Sequence, residues 1–397
     1  MISTVYIAKN VYGGDGLGRL GDGRVVFVPG AWAGEQVKAE IIEEKRNFVK
    51  ARLVEIVEPS PERIKETSVI PGMVYASLSR KGEIAAKAAQ LEEFFSRAKI
   101  PLPIYSRVHE FGPSLNYRNK AVYHYDLTNS GDVVIGYMLE KCHKIIDTPF
   151  DPLARPEINA ALPEIRKTVK TLLTTGPISI RKETLKKGTL TVRWTNKTGV
   201  KWWIGEPSAD VVLKETTTGL DFEVPAGGFY QINVDVANHL ANTIKEIAKS
   251  LPLKRIVDLY CGVGVLGIVA AKATNLELFG IESGRRAVKF AQSNAILNKI
   301  ENARFLSGEV RSLFQRVKQS DGTFLILDPP RGGLEKGVPE RILNFGASYI
   351  LYVSCDPATL VRDLRVLVRG YQVEKADWFD MFPRTARFET MILLRKK

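Results

Sequence analysis

The sequence predicts an α/β protein with a small N-terminal OB-like β-barrel, a central mostly β domain and a C-terminal Rossmann-like domain. At about 150 residues per domain, its 397 residues correspond to two or three domains. Short strand-like runs separated by glycine-rich turns occupy residues 1–61, and strand-like runs predominate within residues 62–234. Over residues 235–397, strands alternate with helices, which is typical of a doubly wound, mostly parallel sheet.

The N-terminal segment is predicted to close into a barrel. Five short strands in about sixty residues are typical of the OB type, a common platform for nucleic acids. Residues 1–60 carry eight basic and eight acidic residues, so charge does not distinguish a nucleic-acid-binding barrel from a purely structural one. The next stretch, EPSPERIKE, contains two prolines and several charges and is predicted to be a linker.

The central region combines an expected helix with basic, aromatic strands. Residues 83–98 have apolar residues at helical spacing, and this helix could pack on the C-terminal domain. Strands are expected through residues 104–225. The stretch 164–203 holds ten Lys or Arg against two acidic residues, interleaved with Trp194, Trp202 and Trp203. This pattern favours a sheet that binds RNA. A solvated basic face with core tryptophans is an equally open interpretation.

Overall composition limits the partners and the compartment. The net charge of +13 and the pI near 9.5 favour nucleic acid over a membrane surface as a partner. Three cysteines exclude a disulfide framework and fit a reducing cytoplasm. The four histidines lack metal-ligand spacing, so no metal site is expected. Neither a membrane-spanning apolar run nor a secretory signal is expected.

A glycine-rich turn predicts the cofactor end of the C-terminal domain. The run DLYCGVG begins at Asp258, directly after a predicted strand, and Glu282 ends the next strand, where a carboxylate can bind ribose hydroxyls. Gly262, Gly264 and Gly267 match the dinucleotide spacing, so this motif alone leaves NAD open. The acidic Asp258 favours S-adenosylmethionine, because that cofactor has no pyrophosphate and carries a cationic methionyl end.

Two later strands predict the chemistry. The strand TFLILDPP ends at Asp328-Pro-Pro-Arg331, and the prolines stiffen the chain at the sheet edge where ligands bind. A plain proline turn is the alternative, and Arg331 departs from the NPPY-like element of amine methyltransferases. Cys355 follows the next strand and precedes a helix, whose N-terminus can lower a thiol pKa, so Cys355 is a candidate nucleophile. A buried packing role is its alternative, and is preferred for Cys261.

Together these motifs resemble the RNA uracil-C5 methyltransferase family, the S-adenosylmethionine-dependent enzymes that make 5-methyluridine in tRNA or 23S rRNA. The resemblance covers essentially the whole chain. GGDGLGR and VFVPGAWAGEQV resemble the N-terminal TRAM domain of that family. FYQIN, DPPRGG, SCDPATLVRDL and DMFPRTARFET resemble its catalytic-domain motifs. The resemblance implies cofactor-binding roles for Gln231, Asp258, Tyr260, Gly262, Glu282 and Asp328, substrate-binding roles for Asp328 and Arg331, and catalytic roles for Cys355 and Glu389.

The implied chemistry accounts for this set of residues. A thiolate at Cys355 adds to C6 of a flipped uracil and makes C5 nucleophilic, and Glu389 then removes the C5 proton. The TRAM-like barrel favours 23S rRNA over tRNA as the target. A catalytically idle RNA-binding protein is an alternative from another class, and an enzyme that methylates amines is a third reading, in which Cys355 would be superfluous.

Two departures from the family pattern stand out. Many members hold an iron–sulfur cluster through a C-x5-C-x2-C run, and that register falls here on Ser68, Val74 and Ser77. Cys142 alone cannot replace three ligands, so no cluster is expected. Histidines are common in the family near the catalytic glutamate, where this chain has Arg384, Ala386 and Arg387. Neighbouring contacts and the RNA target are therefore expected to differ.

Overall fold

The computed structural model describes residues 1–65, 68–103, 107–139, 144–175, 186–318 and 321–397. The chain divides into two compact units, Met1–Lys99 with Phe382–Phe388, and Ile100–Met381 with Glu389–Lys397. The boundaries after residues 61 and 234 stay predictions. Within the described ranges, no helix combines the length and the apolar character needed to cross a membrane.

The N-terminal barrel is confirmed. Its strands close in the order β1-β2-β3-β5-β4. The second strand consists of residues that the sequence pattern assigned to a turn, and its glycines are needed for packing, because a Cβ at Gly16 would lie 2.6 Å from the Ala31 carbonyl oxygen. The strands are β1 (Ile2–Asn10), β2 (Gly16–Arg19), β3 (Val25–Val28), β4 (Gln36–Glu44) and β5 (Phe48–Glu58).

The predicted helix near residues 83–98 is also confirmed, as α1 (Arg80–Ala98), which Ser79 caps by accepting a hydrogen bond from the Gly82 amide. Glu83 and Lys87 are fully buried on α1, and the Lys87 Nζ lies 2.7 Å from the Glu83 Oε1. Arg384, from the Phe382–Phe388 segment, donates its backbone N–H and its Nη1 to the same carboxylate, at 2.7 and 3.3 Å. Arg384 is therefore part of a buried ion network within the N-terminal unit.

The positions at which many family members have cluster cysteines, here Ser68, Val74 and Ser77, lie between the barrel and α1. There the Arg63 guanidinium pairs with the buried Glu35 carboxylate at 2.6 Å and donates to the Ser77 hydroxyl at 3.3 Å. The Trp32 and Tyr75 rings pack with their centroids 5.7 Å apart. Over the described part of the chain, no group of three or more His, Cys, Asp or Glu side chains could hold a metal ion. Cys142 lies outside the described residues.

The central sheet has the strand order β11-β10-β7-β8-β9, and a helix, α2 (Pro156–Thr174), packs on one face of it. The sequence pattern did not identify α2, and the predicted strand ISIRKE lies outside the described residues. Trp194 and Trp202 pack against the core beneath α2, as the core interpretation expected. The strands are β7 (Lys120–Leu127), β8 (Val133–Met138), β9 (Ile145–Asp147), β10 (Lys187–Thr195) and β11 (Gly199–Ile204), followed by the hairpin β12 (Val212–Thr217) and β13 (Leu220–Pro225).

The Rossmann-like sheet of the second unit is confirmed. Its strand order is β16-β15-β14-β17-β18-β20-β19-β6, with β20 inserted antiparallel between β18 and β19. A 3-10 turn, Phe314–Arg316, follows α6. The strands are β6 (Arg107–His109), β14 (Arg255–Leu259), β15 (Glu277–Glu282), β16 (Ala303–Ser307), β17 (Thr323–Leu327), β18 (Tyr349–Ser354), β19 (Tyr371–Phe379) and β20 (Glu389–Lys396). The helices are α3 (Val234–Ser250), α4 (Val265–Thr274), α5 (Arg285–Leu297), α6 (Val310–Leu313), α7 (Val338–Phe345) and α8 (Pro357–Leu367).

Candidate active site

The glycine-rich turn between β14 and α4 forms one wall of the candidate site. Asp258 lies in β14, and the chain then turns through Tyr260 and Gly262, which have φ values of 64° and 53°. A Cβ at Gly262 would meet no atom within 4 Å, so open space adjoins the backbone there. A Cβ at Gly267 would instead lie 2.6 Å from the Asp258 Oδ2, so this glycine serves helix–strand packing. Of Gly262 and Gly267, only Gly262 therefore leaves room for a ligand.

Asp258 is buried and incompletely hydrogen bonded. Its Oδ2 accepts the Gly267 N–H at 2.9 Å, whereas its Oδ1 has no hydrogen-bond partner among the described residues. The pKa of Asp258 is raised to about 8, chiefly by burial and to a smaller extent by the neighbouring Asp328 and Glu282 carboxylates. Three carboxylates therefore share one end of this sheet, an arrangement that favours a cationic ligand.

Glu282 ends β15, as the sequence predicted, and holds the turn in place. Its Oε2 accepts the Gly262 N–H at 3.1 Å, and its Oε1 accepts the Gly284 N–H at 2.7 Å. The residue as a whole is partly exposed. The structure thus brings together four of the predicted cofactor residues, Asp258, Tyr260, Gly262 and Glu282.

The predicted cofactor residue Gln231 lies directly before α3. Asn233, two residues later, caps that helix by accepting the Val236 N–H at 3.4 Å. The Gln231 backbone carbonyl accepts a hydrogen bond from the Asn119 side chain at 3.1 Å. Gln231 is partly buried, and its own side-chain amide has no hydrogen bond to another described residue. Its main chain is therefore fixed while its side chain is free to bind a ligand.

The loop that carries Asp328 and Arg331 is fastened to α8. The Thr359 hydroxyl donates to the Arg331 carbonyl at 3.2 Å, and the Asp363 Oδ2 accepts the Leu334 N–H at 2.8 Å. The Arg331 side chain is exposed. The Asp328 N–H reaches the Leu259 carbonyl at 3.4 Å, which connects this loop to the glycine-rich turn. This is the sheet edge at which the prolines were predicted to stiffen the chain.

Cys355 follows β18 and is partly buried. The next residue, Asp356, caps α8 by accepting the Ala358 and Thr359 N–H groups at 3.0 and 3.1 Å. Cys355 therefore lies beside a helix N-terminus, as the sequence predicted. Cys261 is buried, and burial raises its pKa well above the usual value for a thiol, which matches the packing role expected for it.

Strand register brings Glu389 to the same edge as Asp328 and Cys355. Ser354 of β18 pairs with Thr390 of β20, so Cys355 and Glu389 occupy the next positions at that end. Glu389 is only 3% exposed. Its pKa is raised well above the usual value, first by burial and then by the Asp328 carboxylate. Burial also raises the pKa of Asp328 to about 7. One thiol and two carboxyl groups thus occupy neighbouring strand ends.

Three residues that the sequence pattern did not predict hold the segments that carry the site. Asn119 holds Gln231, Asp363 holds the Arg331 loop, and the Asn294 Nδ2 donates to the Val263 carbonyl in the glycine-rich turn at 3.0 Å. Asp363 lies in the recognised SCDPATLVRDL run, which was a usable signal. No local sequence signal marks Asn119 or Asn294, since their roles depend on contacts between distant segments.

Comparison with known proteins finds related sequences and domains. The family model described as tRNA (Uracil-5-)-methyltransferase matches residues 182–397, and the TRAM domain model matches residues 4–54. An uncharacterized RNA methyltransferase of Thermosynechococcus vestitus is 29% identical over 96% of this chain and 95% of its own. Another, from Caldanaerobacter subterraneus, is 28% identical over 100% of this chain and 99% of its own.

A solved structure shows the same fold. The Pyrococcus abyssi tRNA (uracil-54, C5)-methyltransferase, crystallised with S-adenosyl-L-homocysteine, matches with a TM-score of 0.75 and 21% identity over 98% of this chain and 100% of its own. The predictions of a TRAM barrel and of an S-adenosylmethionine-dependent RNA methyltransferase are confirmed. Since the family model spans more than half of the chain, this protein belongs to the tRNA (uracil-5-)-methyltransferase family.

Proposed function

We propose that this enzyme methylates C5 of a uridine in RNA through a covalent bond between Cys355 and C6 of the base. The observation that carries the proposal is the register of β18 and β20, which puts Cys355 and Glu389 at the same sheet edge. A nucleophile and a carboxyl base are the two groups that this reaction requires.

The residues act in sequence. The Cys355 thiolate adds to C6, and the electron pair of the C5–C6 double bond moves toward O4, so that C5 becomes nucleophilic. When bound, S-adenosylmethionine would supply an electrophilic methyl group; C5 would take that methyl as the S–CH3 bond breaks and its electron pair stays on sulfur, which leaves S-adenosylhomocysteine. Glu389 then removes the remaining C5 proton, the C5–C6 double bond re-forms, and the thiolate of Cys355 leaves with its electron pair. The target base has to leave its stack for Cys355 to reach C6.

The residues at the glycine-rich turn fit that cofactor. The Asp258 Oδ1 lacks a partner among described residues. The pKa of Asp258 is raised first by burial and then by neighbouring carboxylates, whose repulsion a sulfonium charge would relieve. We assign Glu282, at the end of β15, to the ribose hydroxyls, and a Cβ-free Gly262 leaves space for close approach. We assign Gln231 and Tyr260 to the same cofactor.

Asp328 and Arg331 are assigned to the uracil and its enolate, and Asp328 also borders the cofactor. The carboxyl of Asp328 has a pKa raised to about 7, so its protonated form can donate a hydrogen bond to a base oxygen. The exposed Arg331 supplies positive charge beside it. This pair would stabilise negative charge on O4 while the Cys355 adduct exists.

For the RNA target we propose 23S rRNA, with tRNA as the second candidate. The match of residues 4–54 to a TRAM domain supports an RNA substrate. The tRNA alternative is favoured by the name of the matching family and by the tRNA enzyme of Pyrococcus abyssi, whose fold this chain shares.

One experiment tests the reaction and the target together. The enzyme is incubated with S-adenosylmethionine labelled in its methyl group and, separately, with tRNA and 23S rRNA transcripts, and the nucleosides are then analysed. Label in 5-methyluridine from rRNA supports both the proposed reaction and the proposed rRNA target. Label in 5-methyluridine from tRNA alone supports the reaction but shows that tRNA, and not rRNA, is the target. Label in a methylated exocyclic amine would overturn the reaction.

A further inference from the structure

The segment Gly228–Asn233, which precedes α3, is held by the central sheet through its backbone. The Asn119 N–H donates to the Ile232 carbonyl at 2.9 Å, and the Asn119 Nδ2 donates to the Gln231 carbonyl at 3.1 Å. The Asn119 carbonyl accepts the Trp194 N–H of β10 at 2.8 Å. Asn119 therefore ties one strand of the central sheet to the two residues at the centre of this segment.

A second anchor acts at the other end of the segment. Arg193 of β10 donates its Nη1 to the Gly228 carbonyl at 3.3 Å and its Nη2 to the Glu215 Oε1 at 3.2 Å. Its guanidinium carbon lies 5.9 Å from the centre of the Tyr230 ring. The Tyr230 hydroxyl in turn hydrogen bonds with the Thr217 hydroxyl. Arg193 and Glu215 are each about 1% exposed, so this anchor is screened from solvent.

The Asn119 side chain holds the Gln231 carbonyl directly. Asn119 is 1% exposed, so a lost partner there could not be replaced by bulk water. The Gln231 side chain has no hydrogen bond of its own to another described residue. Its position therefore depends on the backbone carbonyl that Asn119 fixes. A change at Asn119 would let Gln231 move, while the glycine-rich turn keeps its own separate supports at Glu282 and Asn294.

We propose that Asn119 is a positioning residue for the cofactor, which it acts on through the backbone of Gln231. The inference rests on the proposed role of Gln231 at the cofactor. It adds that a residue hydrogen bonded to the central sheet sets cofactor affinity. Asn119 makes no contact with reacting atoms in this account. Its substitution should weaken cofactor binding and leave the chemical step intact.

The test compares Asn119→Asp with Asn159→Asp. Both replace an amide with a carboxylate of the same size, and the Asn159 Nδ2 also donates to two backbone carbonyls, those of Asp151 and Ala154, at 2.9 and 3.1 Å. Calorimetry with S-adenosylhomocysteine should show a Kd about tenfold higher for Asn119→Asp and within about twofold of wild type for Asn159→Asp. Asn119→Ser, which removes the amide without adding charge, serves if the aspartate variant does not fold.

Two kinetic readouts separate positioning from general damage. For Asn119→Asp the KM for S-adenosylmethionine should rise about tenfold while kcat at saturation stays within about twofold of wild type. A fall in kcat with an unchanged KM, or an equal loss in both asparagine variants, would overturn the inference. If Gln231→Ala left the Kd unchanged while Asn119→Asp raised it, the proposed role of Gln231 would fail instead. If the wild-type protein did not bind S-adenosylhomocysteine, the proposed function itself would fail.

Discussion

Ser354 of β18 pairs with Thr390 of β20, and the two residues that follow at this end of the pairing are Cys355 and Glu389. Neighbouring strands lie roughly 4.8 Å apart, so this antiparallel register brings two functional groups separated by 34 positions to one edge. Asp328, which directly follows the adjacent parallel strand β17, completes the group. Three predictions follow from this arrangement, and a fourth follows from the buried ion network of the N-terminal unit.

Replacing Cys355 with Ser should abolish methylation. A serine hydroxyl is a far weaker nucleophile than a thiolate, so turnover should fall by more than about a thousandfold while S-adenosylhomocysteine still binds. Methyl transfer to RNA and calorimetric binding measure the two effects. Cys261→Ala is the matched control and should retain most of the activity, because Cys261 is buried in a packing role. A Cys355→Ser enzyme that still methylates RNA would refute the mechanism.

Replacing Glu389 with Gln should trap the enzyme on its RNA. An amide cannot remove the C5 proton, so the bond between Cys355 and C6 would persist after methyl transfer. A denaturing gel of variant, RNA and S-adenosylmethionine should show a slowly migrating complex, which the double variant Cys355→Ser, Glu389→Gln should lack. Release of methylated RNA by Glu389→Gln at the wild-type rate would rule out Glu389 as the base.

The pH profile should reveal the linked carboxyl groups. Burial raises the pKa of Asp328 to about 7, and burial followed by the charge of Asp328 raises the pKa of Glu389 well above its usual value. Because the base must be ionised, kcat should increase as the pH rises through the pKa of Glu389, which lies well above the usual range of a carboxyl group. Asp328→Asn removes one negative charge, which lowers the pKa of Glu389.

The corresponding measurement is kcat against pH for both proteins at saturating substrates. The rise in kcat of Asp328→Asn should occur at lower pH than that of the wild type. This holds even if the maximal kcat of the variant is lower, because the pH of the rise reports the pKa of the base and the plateau reports the maximal rate. An unshifted rise would show that the Asp328 charge does not influence the ionisation of Glu389.

The buried ion network around Glu83 should dominate the stability of the N-terminal unit. Glu83→Gln leaves the positive charges of Lys87 and Arg384 without their shared carboxylate, so the free energy of unfolding should fall by about 3 kcal/mol. Glu93→Gln breaks a more exposed pair with Lys9 and should cost less than about 1 kcal/mol. Denaturant titration measures the free energy of unfolding of both variants. An equal loss in the two would contradict the claim that burial makes the Glu83 network the more important one.

The barrel and the Rossmann-like sheet could be predicted because each has a regular period and distinctive turns. The second barrel strand, β2, was missed because its glycines are typical of a turn, although they are needed for close packing against Ala31. Helix α2 was missed within a stretch read as strands, and Pro163 interrupts its pattern. The apolar face of α2 packs on the central sheet, and the local sequence does not show that contact.

For the candidate site, the motif residues could be predicted, whereas the residues that hold them could not. Glu282 ends a strand, and Asp328 and Cys355 each follow one; the ends of strands can be recognised in a sequence. Asn119 and Gln231 are 112 positions apart, and Glu83 and Arg384 are 301 apart. No local pattern encodes contacts over such separations, because they form only when the chain has folded.

The most direct test of the central claim is mass spectrometry of the complex trapped by Glu389→Gln. After digestion with protease and nuclease, the peptide that contains Cys355 should carry one uridine nucleotide and one additional methyl group. That result would show that the cysteine bonds to the base and that methyl transfer precedes proton removal. A nucleotide attached to another residue, or free 5-methyluridine with an unmodified Cys355 peptide, would contradict it.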